Sequence, residues 1–292
     1  MSHFVVMVLG DDVEKQLAPY HEFECTGWDN EHVQDVDVTA DYRLDFEKYG
    51  NEGQDFVAYC ESDGKPPVYL ANGDKPDFGN RNDVNSRGPH KYGYTEVAAG
   101  GAVRVIDRTN PNKKWDWYVE GGRWSKWLIG KSGGHITGGC LGDVDWTAMK
   151  ADTEKEAGLD WDLAAKVLGK HPPVEPWPSV RERYAGDIEA ARTAYHGQPG
   201  VKAFRACQER DIRWGSPEDF LIPRDEYLAK RVMGRISPFA FVIDGTWHEK
   251  GEMGWFACVS NEKDATQWHS EFVDIVGNLP ADTPFTVVDC HI

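Results

Sequence analysis

"TPFTVVDCHI", residues 283–292, decides the fold, because it reads as a β-strand that follows a helix and a hairpin. Just before it, Asp264 caps a helix with Gln267 three residues on, reaching back. Trp268, Phe272, Ile275 and Leu279 recur along that helix at spacings of four, three and four, which makes one apolar face. Further upstream, "PFAFVIDGTWHEKGEMGWFACVS" (238–260) reads as strand, Asp-Gly turn, strand. The order strand, strand, helix, strand implies an antiparallel or mixed sheet covered by a helix. "HFVVMVLG" (3–10), β-branched and aromatic and ended by Gly10, supplies an N-terminal strand to join it.

Between these ends the character changes. Asp11 or Asp12 caps a short helix in "VEKQLAPY", and Thr39 caps one in "ADYRLDFEKYG". "DFVAYCES" reads as a short strand, residues 62–95 as a long loop, and "AVRVID" as a strand. Two strands are expected around Gly121 and Gly122, then a glycine-rich surface loop at 130–140. From 146 to 236 the composition is helical, broken by "HPPVEPWPS" (171–179), with Ser179 as one cap and "SPED" (216–219) as another helix start. The class is therefore α+β, with an antiparallel or mixed sheet joining N- and C-terminal strands and a helical insertion. Its parts are 1–145, with long acidic loops, the insertion 146–236, and a ββαβ part 237–292 that completes the same sheet.

The chain has 292 residues, 40% apolar and 28% charged, a composition that builds a packed core. No apolar run spans a membrane and no signal peptide is evident, so a cytoplasmic location is expected. Six scattered cysteines without a CxxC pair read as reduced thiols. The net charge of −17 is uneven: −12 in residues 1–100, +3 in 101–150, −1 in 151–236 and −7 in 237–292. Such a surface repels phosphate backbones and disfavours nucleic acid, and it suits solubility or a basic protein partner. Oligomeric state is open.

The net basic stretch holds the first candidate site, "KWDWYVEGGRWSKWLIG" (114–130). One reading makes it a hairpin whose tryptophans are core, with Trp115 and Trp117 on one strand face. The other makes it a ligand site, in which Arg123 lies over an aromatic wall of Trp115, Trp117, Trp124 and Trp127, with Lys114 beside it. The second candidate is His3 with Asp289 and His291. The latter pair share a strand face and meet His3 if the two strands are neighbours, with Cys290 turned into the core. That trio suits a divalent metal or acid–base chemistry, and solvated histidines are its plain alternative. The His-x-Thr in "GGHITGG" (133–139) is similar to half of the paired motif of two-histidine phosphodiesterases, but "HSE" (269–271) lacks the hydroxyl a second copy needs. HExxH, GxSxG and P-loop patterns are absent from the sequence.

The stretches "MSHF", "HEFECTG", "KWDWY", "GGRW", "KGEMGWF" and "TVVDCHI" resemble a family of uncharacterised proteins of bacteriophages and bacterial mobile elements. The resemblance carries no assigned catalytic residue. It implies a bacterial cytoplasm during infection and an accessory task. The expected function is a phage accessory protein that binds a host protein, such as a defence component it inhibits. The alternative is a nucleotide or small-molecule binder or hydrolase using Arg123 or the His3/Asp289/His291 cluster. A virion component is disfavoured by the lack of repeats and heptads.

Overall fold

The computed structural model of the protein describes residues 2–70, 78, 90–208, 215–254, 256 and 258–292, and most of the expected loop at 62–95 lies outside them. β1 (His3–Leu9) is buried from Phe4 onward, so its unbroken apolar run marks a strand covered on both faces. Asp12 caps α1 (Val13–Leu17) by accepting the Lys15 N–H, and α2 (Phe23–Thr26) follows. β2 (Gln34–Asp37) leads into α3 (Thr39–Tyr49), where Thr39 is the first helical residue rather than the cap and its N–H donates to Asp37 Oδ1 at 3.0 Å. "DFVAYCES" is not a strand but α4 (Phe56–Ser62). Asp55 accepts the Ala58 N–H at its start, and Phe56 and Cys60, one turn apart, are its buried contacts.

β3 (Pro67–Leu70), β4 (Gly93–Ala98) and β5 (Val103–Thr109) join β2 in a four-stranded sheet of order β2-β5-β4-β3. β6 (Trp117–Glu120) does not turn back on itself as a hairpin. Gly121 and Gly122 lead instead into a 3-10 turn at Gly122–Trp124. β7 (Leu128–Ile129) and β8 (His135–Ile136) pair, and β9 (Gly138–Cys140) follows. The expected glycine loop is thus partly strand.

The helices α5 (Trp146–Leu168), α6 (Trp177–Arg183), α7 (Ile188–Gly197), α8 (Pro199–Gln208) and α9 (Arg224–Ile236) fill the middle of the chain. α6 begins two residues before Ser179, at a proline-led start, so Ser179 is helical rather than a cap. Ser216 and Asp219 do form a reciprocal capping box, on a short 3-10 helix. These helices hold their own cores, one around Phe204, Phe220 and Tyr227 and one around Val180, Tyr195 and Val201.

β10 (Ala240–Ile243) and β11 (Thr246–Glu249) are joined by Asp244 and Gly245, both at positive φ (50° and 73°), which suits a two-residue hairpin. β12 (Glu252–Met253) and β13 (Val259–Ser260) form a small pair, and α10 (Ala265–Gly277) and β14 (Pro284–His291) complete the fold. Asp264 caps α10 by accepting the Thr266 and Gln267 N–H groups.

The main sheet has the order β11-β10-β1-β14-β6. β1 runs parallel to β10 and antiparallel to β14, so the sheet is mixed. β14 is long enough to serve two strands on its outer edge, β9 along residues 284–286 and β6 along 288–291. One face carries Val5, Met7, Phe241, Phe285 and Val287 under Trp268 and Phe272 of α10. The other carries Phe4, Val6, Val8, Val242, Val288 and Cys290 against Leu17 and Trp115. The fold is α+β, and N- and C-terminal strands lie side by side at its centre. All six cysteines are free.

Candidate functional site

The strand register brings the second candidate set together. His3 pairs directly with His291 across β1 and β14, and His291 pairs with Trp117 of β6 on its other side. Directly opposed side chains share a face, so three rings meet at one level of the sheet. The His3 and His291 centroids are 4.9 Å apart, and Trp117 stacks on His291 at 4.9 Å with 15° between planes.

Each imidazole is held by a carboxylate. His3 Nδ1 lies 3.0 Å from Asp289 Oδ1, and His291 Nδ1 lies 2.6 and 2.8 Å from the two oxygens of Asp116. A carboxylate accepts but does not donate, so Nδ1 of each ring is the donor to its carboxylate. Asp289 is itself fixed: its Oδ2 accepts the backbone N–H of Arg123 at 3.0 Å, and only 2% of the residue is exposed. His291 is 3% exposed, and its Nε2 is buried with no hydrogen-bond partner. An unpaired buried ring nitrogen costs about 1–3 kcal/mol and calls for an explanation in function or a missing ligand.

Gly122 is part of this geometry. Its φ is +47°, and a Cβ there would stand 2.6 Å from both Cβ and Oδ2 of Asp289. Only glycine lets the turn after β6 press its backbone onto the Asp289 carboxylate.

Glu22 and Cys25 also lie close to Asp116. The ligand atoms of Glu22, Cys25 and Asp116 fall within 4.8 Å of one another, and this is the one such group of three among the described residues. The divalent metal expected at His3, Asp289 and His291 therefore does not match the geometry: their donors are engaged pairwise with carboxylates instead of converging on one point. The Cys25 thiol is pushed up to about 12 by burial and by the Glu22 carboxylate, which makes it a poor nucleophile at neutral pH.

The tryptophan block divides. Trp115 is core, and its Nε1–H donates to Leu17 O at 3.1 Å. Trp127 is core too, donating to Arg235 O at 2.9 Å, while Trp124 is partly buried against the same cluster. Trp117 is 44% exposed. Trp115 and Trp117 do not share a face: Trp115 packs with Val288 and Cys290, Trp117 with His291. The alternation fails because β6 begins only at Trp117, and Trp115 bridges to His21 instead. Arg123 is exposed, and its part in the site is its backbone N–H rather than a guanidinium over an aromatic wall.

The basic stretch is also neutralised. Lys114 bonds Glu249 at 2.6 Å, Lys113 bridges Glu22 and Glu24, and the buried Arg108 pairs with Asp29 and Asp35. Burial opposes the charge on Lys113, but the bonds from Glu24 and Glu22 outweigh it and raise its pKa.

Asp116, Glu22 and Cys25 escaped the sequence reading. Asp116 stands between two tryptophans in irregular backbone, and Glu22 and Cys25 carry no spacing signal. His135 bonds only weakly to Leu128 O at 3.4 Å and faces a cleft of about 420 Å³ between α5 and α9, away from the paired histidines. The stretches "MSHF", "HEFECTG", "KWDWY", "GGRW" and "TVVDCHI" all contribute to the assembly around His291. Comparison with protein-family models, curated proteins and solved structures finds no match to the chain.

Proposed function

We propose that the paired Asp–His dyads form an acid–base site at which a nucleotide or similar small polar substrate binds against Trp117 and is hydrolysed. The observation that carries this reading is the buried, unpartnered Nε2 of His291, in a ring whose other nitrogen is fixed by Asp116. A carboxylate behind Nδ1 orients the ring and stabilises the imidazolium, the arrangement a general acid or base needs. His3, oriented by Asp289, offers the second such group beside it. Trp117 gives a base or other planar group a surface to stack on. The test is a panel of nucleotides and nitrophenyl phosphate mono- and diesters, assayed for hydrolysis and for a rise in melting temperature. Activity that falls at least about a hundredfold in His291→Asn, with the fold intact, supports the site. The absence of both turnover and a thermal shift with the wild-type protein sinks it.

A second reading is favoured by the charge distribution: an accessory protein of a phage or mobile element that binds and inhibits a host protein in the bacterial cytoplasm. The −12 balance of residues 1–100 supports a basic partner. Affinity capture with the wild-type chain tests it, and the reading fails if no protein is retained in stoichiometric amount at physiological salt.

A further inference from the structure

None of the eleven residues of α3 is buried, and the helix rests on its small sheet through Tyr42 and Phe46, beside a core of only Phe56, Cys60 and Val105. Leu44, at its centre, is 65% exposed, and Tyr49, at its end, is 60% exposed. On a helix surface the neighbours of Leu44 are three and four positions away: Ala40, Asp41, Glu47 and Lys48. Asp41, Asp45 and Glu47 have no ion-pair partner among the described residues. Residues 29–63 around them hold eleven carboxylates against two bases, a balance of −9 out of the chain's −17.

From the rest of the fold Arg108 neutralises Asp29 and Asp35 and Arg104 neutralises Asp37, so among the described residues the carboxylates of α3 itself are left without an ion pair. Arg108, Lys113 and Lys114 are engaged by their own carboxylates, and Arg104 by Asp37 and Glu96. A nucleic acid or an anionic lipid surface is repelled from this face. What fits is a protein surface rich in lysine and arginine, with an apolar gap at its centre.

We propose that the outer face of α3 docks on such a basic protein surface, with Leu44 entering the apolar gap and Asp41 and Asp45 pairing with the flanking cations. This rests on the partner-binding reading and is independent of the histidine dyads. It gives that reading a place on the molecule and a chemistry for the partner. Charge complementarity sets the approach and its salt dependence, and the buried leucine sets the residence time.

The probe is a synthetic amphipathic helical peptide with a leucine stripe flanked by lysines, titrated calorimetrically at low and at physiological salt. Asp41→Asn with Asp45→Asn is expected to weaken binding about tenfold at low salt and less at physiological salt. Leu44→Ala weakens it several-fold at both. Asp274→Asn with Asp282→Asn, two exposed carboxylates far along the chain, removes the same charge and changes binding by less than about twofold. All these positions are exposed, and circular dichroism verifies that the variants fold. An equal loss from the distant pair overturns the α3 assignment but leaves an acidic-surface partner intact. No binding of the peptide by the wild-type protein overturns both.

Discussion

Replacing Gly122 by alanine tests the centre of the candidate site through its backbone. The new methyl group would lie 2.6 Å from Asp289 Oδ2 and 2.8 Å from Val119 Cγ1, and neither is the far end of a flexible chain. The residue also sits at φ +47°, where an L side chain is strained by about 1–2 kcal/mol. Moving Asp289 away breaks the Arg123 N–H bond to its carboxylate, an interaction with a charged group worth about 1.5–3 kcal/mol. Together these predict a loss of about 2.5–5 kcal/mol, a large part of the ~5–15 kcal/mol that holds a typical domain. Gly133→Ala is the control. Its φ is +85° and nothing lies within 4 Å of the added Cβ, so it carries the strain alone. Urea unfolding of both variants isolates the contact term as their difference, about 1.5–3 kcal/mol. The ring signals of His3 and His291 in NMR spectra should move in Gly122→Ala and stay in Gly133→Ala. Equal costs for the two variants, with unmoved histidine signals, would refute the close packing of this turn on Asp289.

Phe272→Ala, in the fully buried cluster under α10, should lower stability by about 3–5 kcal/mol in the same unfolding assay. Trp127→Phe removes the donor to Arg235 O and leaves a gap where the larger indole packed, so a loss of about 2–3 kcal/mol is expected. Glu218 ties three elements of the helical segment, accepting from the Trp177 N–H and the Tyr195 hydroxyl. Burial raises its pKa, but these bonds outweigh that and hold it below the ordinary 4.5. Its contribution is therefore complete above pH 4.5 and is lost as pH falls through the lower folded value. Glu218→Gln should flatten the acid limb of a stability–pH curve, and an unchanged limb would count against the staple.

The sheet was legible wherever one physical signal dominated. β1 showed as an unbroken apolar run because it is covered on both faces, and α10 as an apolar stripe because one face meets the sheet. The caps at Asp264 and Ser216 were equally plain, and that of α1 was narrowed to Asp11 or Asp12, since a short polar side chain before an apolar stretch has few other uses. α4 misled because seven residues give no more than two helical turns, and Phe56 and Cys60 mimic a strand's apolar content. The site was legible by half. His3, Asp289 and His291 could be placed from strand parity alone, but Asp116 reaches His291 from irregular backbone, where no periodicity applies. The lone basic stretch looked like a ligand surface because sequence order hides partners such as Glu249, 135 positions from Lys114.

β14 gives the molecule a late-assembling keystone. It hydrogen-bonds β1, β6 and β9, and it carries Asp289 and His291. His3 waits across 286 positions of chain for its carboxylate. During synthesis the strands and helices before residue 284 emerge first, and the central seam of the sheet stays open beside β1 until β14 leaves the ribosome. Contacts of such separation form slowly, so the apolar edge of β1 is exposed throughout that interval. A chain interrupted anywhere short of β14 therefore forms neither Asp–His pair, because Asp289 and His291 both lie on that strand.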